Sequence, residues 1–151
     1  MTRRAVALLL LFVAASPGTL RADEAAQHVL CAQALDYLTS RETIRFAAAS
    51  STLPGLHDAL IDDIANLMLQ CPSSVLHIEG HTDNRGDADA NLALSTARAE
   101  AVGDALAVRG ITRDRLRVAG FGGTRPVADN DTRDGRRQNR RIALRFERGV
   151  S

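Results

Sequence analysis

Apolar positions along the chain fall into two periodicities. Cys31, Ala34, Leu35 and Leu38 recur at three- and four-residue spacing and predict a helix over 24–39. Leu60, Ile64, Leu67 and Cys71 repeat the pattern, predicting a second helix over about 56–70 that Pro72 stops. The longest stripe, Leu94, Ala97, Ala101, Ala105 and Leu106, predicts a helix over about 88–109 with Gly110 as its terminator. Short runs between the helices read as strands over 43–46, 75–78, 115–118 and 141–146. In the last, Ile142, Leu144 and Phe146 alternate with Ala143 and Arg145 as in a half-buried strand. Loops rich in small and turn-forming residues cover 47–55, 80–87 and 120–126. Strands alternating with helices imply an α/β (α+β two-layer) domain, a mixed four-stranded sheet packed on helices and preceded by an N-terminal helix.

The first residues follow a different pattern. Arg3 and Arg4 precede an apolar run over 5–15, then Ser16, Pro17 and Gly18, with Ala22 before Asp23 and Glu24. Basic, apolar and small segments in that order are what a secretory signal peptide needs. The run is eleven residues long, against the roughly 20 that a spanning helix requires. Residues 1–22 are therefore expected to be a signal peptide, cut after Ala22 or near Ala14 and Ala15. The organisation that follows is an N-terminal helix over 23–40 and one domain over 41–148, with no integral membrane span.

Export changes how charge and cysteines are read. The 129 residues after Ala22 carry net charge −2, and every basic side chain is Arg. That balance gives no reason to expect attraction to nucleic acid. Cys31 and Cys71 form an even pair in an exported chain, which favours a disulfide over two buried thiols. Closing that loop would contribute roughly 3–4 kcal/mol in the chain-entropy model. Both cysteines lie on apolar helical faces, where a staple between packed helices belongs. No set of Cys and His at ligand spacing surrounds either one, so no metal or other cofactor is expected.

The chemistry-bearing stretch is Gly80-His81-Thr82-Asp83, followed by Gly86, Asn91, Leu94-Ser95 and Arg98-Ala99. Asp83 sits in a loop that leaves a strand and enters a helix. Asn91 and Arg98 are two helical turns apart and share a face. One carboxylate, one amide and one guanidinium can thus surround a small cleft. A carboxylate that accepts an ammonium and a guanidinium that grips a carboxylate suit a zwitterionic ligand. The bland alternative is a loop-to-helix salt bridge between Asp83 and Arg98. His81 at a strand end reads as a hydrogen-bonded structural residue. As a hydrolase pair, His81 and Asp83 lack any accompanying nucleophile motif or zinc set.

These residues resemble the OmpA C-terminal-like peptidoglycan-binding domain. Ile78-Glu79-Gly80-His81-Thr82-Asp83-Asn84 is similar to its central signature. Asn91, Leu94-Ser95 and Arg98-Ala99 match in type and spacing, as do Gly120-Phe121-Gly122, Pro126, Asn130, Gly135-Arg136 and Asn139-Arg140-Arg141. The resemblance covers about 43–147. It implies a βαβαβ-type domain that binds peptidoglycan without cutting it, gripping the diaminopimelate residue of the stem peptide. The implied binding residues are Asp83, Asn91, Arg98 and Arg140, with Thr82 and Leu94 as loop and core positions. The implied setting is the periplasm, in association with the outer membrane, with envelope proteins as further partners.

Two features depart from the family pattern. Phe46 is followed by Ala47-Ala48-Ala49-Ser50, where the family usually has an acidic residue. This loop keeps alive a second reading, a protein-interaction subunit of an envelope complex with weakened wall binding. No Cys closely follows the apolar leader, which argues against a lipid-anchored form, and the expected loss of the leader argues against a motor form. The remaining arginines of 133–148 are expected to form a solvated face with Asp131, Asp134 and Glu147.

Overall fold

The strands stand in space in a different order from the chain. The computed structural model describes residues 17–149. In it β1 (Ser74–Gly80) is central, β2 (Leu116–Gly120) runs parallel to it, and β3 (Ile142–Arg148) is antiparallel on its other side. Ser74, Leu76, Ile78 and Gly80 are buried while Val75, His77 and Glu79 are half-buried, as the two-residue period of a strand dictates. Leu76 and Ile78 register with Leu116 and Val118 on one side and with Phe146 and Leu144 on the other. One sheet face is therefore continuously apolar.

Three helices cover that face: α1 (Pro17–Arg41), α2 (Asp58–Gln70) and α3 (Ala88–Val108). They bring Cys31 and Leu35, Ile61, Ile64 and Met68, and Ala99, Val102 and Leu106 into one core. Cys31 and Cys71 are disulfide-bonded, tying α1 to the end of α2. Just past that end, Arg115 closes the structure from the other side. Its guanidinium donates to the carbonyls of Met68, Cys71 and Ser74 at 2.7–3.0 Å, satisfying acceptors that a helix terminus leaves open.

α3 lies unusually close to the sheet. A Cβ on Gly80 would sit 2.0 Å from the Ser95 carbonyl oxygen, and one on Gly120 would sit 2.2 Å from Thr96 Oγ1. This approach places the N-terminal half of α3, with Arg98, directly beside the loop that leaves β1.

Four expectations need correction. The sheet has three strands, because residues 42–47 form no strand and pair with none. The Arg45 N–H is taken by His57 Nε2 at 3.0 Å, and His57 Nδ1 bonds Glu42 at 2.7 Å, so a side chain replaces the neighbouring strand. The buried face of α3 is Ser95, Arg98, Ala99, Val102, Gly103 and Leu106, displaced by one residue from the expected stripe. Alanines on every side of this helix blur its periodicity, and contact with Gly80 and Gly120 selects the face. A short helix, α4 (Arg133–Asn139), forms where only a solvated run was expected, and its N-cap Thr132 accepts from the Gly135 N–H. Finally, α1 starts earlier than the expected residue 23, at Pro17. The basic and apolar leader over 1–16 lies outside the described residues.

Candidate functional site

The loop leaving β1 is fixed by backbone bonds before any side chain acts. His81 N–H donates to the Arg141 carbonyl at 3.0 Å and Thr82 N–H to the Gly122 carbonyl at 2.9 Å. Buried Asn139 holds the segment leading into α4: its Oδ1 accepts from the Val127 and Ala128 N–H groups, and its Nδ2 donates to the Ala128 carbonyl and to Asn130 Oδ1. Asn130 Oδ1 in turn lies 3.4 Å from the Asn84 N–H.

These elements enclose a cleft of about 500 Å³. Ile44, Arg45, Phe46, Ala48 and Ala49 form one wall, His81, Thr82 and Asp83 the floor, and Leu94 and Arg98 of α3 the back. Arg137, Arg140, Arg141 and Ile142 complete it. Leu94, expected in the core, is half-buried against the cleft.

Arg98 is buried, and its guanidinium is held from behind by main-chain carbonyls. Nε donates to Ser50 at 2.8 Å and Nη2 to Ala47 at 3.0 Å, while the Phe46 ring lies 5.3 Å from its Cζ. The alanine loop that lacks the family's acidic side chain therefore contributes backbone acceptors instead. Burial and then the charge of neighbouring Arg140 push the Arg98 pKa below its ordinary value. Among the described residues no carboxylate forms an ion pair with it.

Asp83 pairs with Arg140, not with Arg98. Its Oδ2 lies 2.6 Å from Arg140 Nη1, and its Oδ1 accepts from the Arg85 N–H at 3.0 Å. Burial opposes ionisation, but the Arg140 bond, the Arg85 N–H and the charges of both arginines outweigh it, so the carboxyl titrates below its usual value. Spare lone pairs on that carboxylate remain able to accept an ammonium.

The structure brings Asp83, Arg98 and Arg140 to one cleft and leaves Asn91 outside it. Asn91 Nδ2 donates to the Arg85 carbonyl at 2.7 Å, bracing the loop, and its surface lines a separate hollow with Leu92 and residues 121–124. His81 also departs from expectation. It is 2% exposed and stacks on Phe121 at 5.5 Å, but neither ring nitrogen has a hydrogen-bond partner among the described residues. Burial and the Arg141 charge, opposed by Glu79 and aided by Arg125, lower its pKa to about 4. At neutral pH the ring is uncharged and makes no bond to Asp83.

Sequence reasoning missed Arg45, Arg137 and Arg141 as cleft residues. Arg45 lies in a segment read as a strand, and Arg137 in a helix that was not anticipated. Arg141 carried a signal, since it adjoins Arg140 in the late motif.

Residues 45–140 match the family model described as the OmpA family. The probable lipoprotein YiaD of Escherichia coli is 32% identical over 107 residues, covering 71% of this chain and 49% of that protein. The peptidoglycan-binding protein ArfA of Mycobacterium tuberculosis is 35% identical over 95 residues, covering 63% of this chain and 29% of that protein. The chain thus spans about half the length of the first and under a third of the second. Among solved structures, the peptidoglycan-associated lipoprotein from Burkholderia pseudomallei superposes with a TM-score of 0.67 at 30% identity, over 73% of this chain and 93% of that one. A MotB-like protein from Desulfovibrio vulgaris shares the fold with a TM-score of 0.70 at 20% identity, over 89% of this chain and 96% of that one.

Proposed function

The chain belongs to the OmpA family, and from that premise we propose that it binds peptidoglycan non-covalently through the diaminopimelate residue of the stem peptide. The free end of that residue carries an ammonium and a carboxylate on one carbon. Asp83 accepts the ammonium, Arg98 takes the carboxylate in a two-pronged contact, and Arg140 bridges them. The observation that carries this reading is Arg98: a buried guanidinium without a carboxylate partner among the described residues. Neutral carbonyls and an aromatic face compensate a buried charge only in part, and an anionic ligand completes it. The relatives named for peptidoglycan support the same reading.

In this reading the chain is a binding module that holds the wall without cutting it. His81, neutral, buried and unbonded to Asp83, supports binding over acid–base chemistry by that pair. Residues 1–22 act as the export signal, the helix after them is stapled to the domain, and the mature protein tethers to the wall in the periplasm, in association with the outer membrane. No helix among the described residues is long and apolar enough to cross a membrane.

Sedimentation with purified diaminopimelate-type sacculi tests the proposal. Wild type is expected to pellet, folded Asp83→Ala and Arg98→Ala to stay largely soluble, and free diaminopimelate to compete. Wild type remaining in the supernatant would overturn it. A second reading, a protein-interaction subunit of an envelope complex, is favoured by Val29, Leu30 and Tyr37, all exposed on α1. Co-purification with envelope proteins by a chain that does not bind sacculi would support it.

A further inference from the structure

The cleft carries more positive charge than one zwitterion can use. Arg45, Arg98, Arg137, Arg140 and Arg141 line it, with Asp83 as the one carboxylate in the lining, and His81 is neutral. An ammonium and a carboxylate on the same carbon sum to zero, so binding them leaves the excess untouched. Its members differ in how well the protein already satisfies them. Arg141 donates to the carbonyls of Asn139 and Arg125 and feels the charge of Glu79. Arg140 is paired with Asp83. Arg45 is exposed and its side chain has no bonding partner among the described residues, while Arg137 has only an exposed pairing with Asp134 at 3.1 Å. Exposed pairs of this kind within one helix hold weakly and exchange readily for a better anion.

Resting on the diaminopimelate reading, we propose that Arg45 and Arg137 at the rim take a second carboxylate of the ligand, carried on the peptide beside the zwitterionic centre. The cleft then selects stem peptides whose carboxylates are free over those in which one is amidated. Amidation removes the charge and replaces one of the two acceptor oxygens that a guanidinium grips with an N–H donor, while changing shape little. Two carboxylates meet the requirement: the α-carboxylate of the isoglutamyl residue that precedes diaminopimelate, and the C-terminal carboxylate of the residue that follows it.

Calorimetric titration at fixed low ionic strength separates these sources. The ligands are the tetrapeptide L-alanyl-γ-D-glutamyl-meso-diaminopimelyl-D-alanine and two versions of it, amidated at either the glutamyl α-carboxylate or the C-terminus. One amidation is expected to weaken binding about tenfold, which identifies the carboxylate used. An Arg45→Gln/Arg137→Gln double variant should bring the free-to-amidated ratio close to one. Arg133→Gln, which removes an exposed charge from the same helix outside the cleft, should leave the ratio unchanged. Equal affinity of wild type for all three peptides would overturn the inference and leave the zwitterion clamp standing. Loss of the preference in Arg133→Gln would overturn it too, by showing general attraction. Failure of all three peptides to bind would sink the clamp along with it.

Discussion

At the scale of single residues, the proposed clamp depends on guanidinium geometry more than on charge. Arg98 uses Nε and Nη2 to reach two carbonyls 2.8 and 3.0 Å away and still presents donors to the cleft. A lysine keeps the charge but has no planar fork. Arg98→Lys is therefore expected to lose at least about tenfold in affinity for sacculi while remaining folded, as circular dichroism and a binding isotherm would show. His81 makes a separate prediction about stability. Its folded pKa of about 4 lies below the ordinary 6.5. As pH falls from 6.5 towards 4, the unfolded chain takes up a proton that the native state refuses, and stability declines, by up to roughly 3 kcal/mol. Urea unfolding of His81→Asn across that window should show a shallower pH slope than wild type, and an unchanged slope would count against the assignment. As members of one cleft, Asp83 and Arg98 were legible from spacing and motif together, and Arg140 from the motif resemblance only. Asn91 was read into the cleft from helical spacing and from the resemblance, and spacing fixes a side chain's face but not how far along the helix the cleft extends. The bond to the Arg85 carbonyl depends on the path of the loop over 80–87, and no local pattern encodes that path.

At the scale of elements, two contacts set where the site residues stand. The first is the packing of α3 on Gly80 and Gly120. Gly80→Ala would drive a Cβ to 2.0 Å from a backbone oxygen, in a place where neither the helix nor the strand can yield cheaply. A loss of more than about 3 kcal/mol, or failure to fold, is expected, with the melting temperature as the measurement. The second is the disulfide between α1 and the end of α2. With forty residues between the cysteines, Cys31→Ser/Cys71→Ser should lower unfolding free energy by roughly 3–4 kcal/mol, while the cleft, built from other elements, keeps its affinity in the fraction that stays folded. Both helices flanking that bond were legible from three- and four-residue spacing, as were the three paired strands. The fourth expected strand was not real, because Thr43, Ile44 and Phe46 have strand-like side chains but His57 occupies the backbone group that a neighbour would need. α4 was hidden because seven polar and small residues carry no hydrophobic period, and only the Thr132 cap and buried Gly135 and Asn139 mark it.

At the scale of the whole molecule, a chain that is nearly neutral overall concentrates arginine in one cleft. Net charge therefore says little about the ligand, and the local excess says much. Binding should weaken with added salt but persist, since Arg98 is shielded from solvent and screening acts mainly on exposed charges. The central claim is that Asp83 and Arg98 together grip one carbon bearing an ammonium and a carboxylate. Its most direct test is a calorimetric titration of the mature protein with stem peptide whose diaminopimelate terminus is intact, acylated on its amine, or amidated on its carboxylate. The account predicts binding of the intact peptide and at least tenfold weaker binding of each modified form. Undiminished binding of either modified peptide would contradict it, because the clamp would then not be reading both charges.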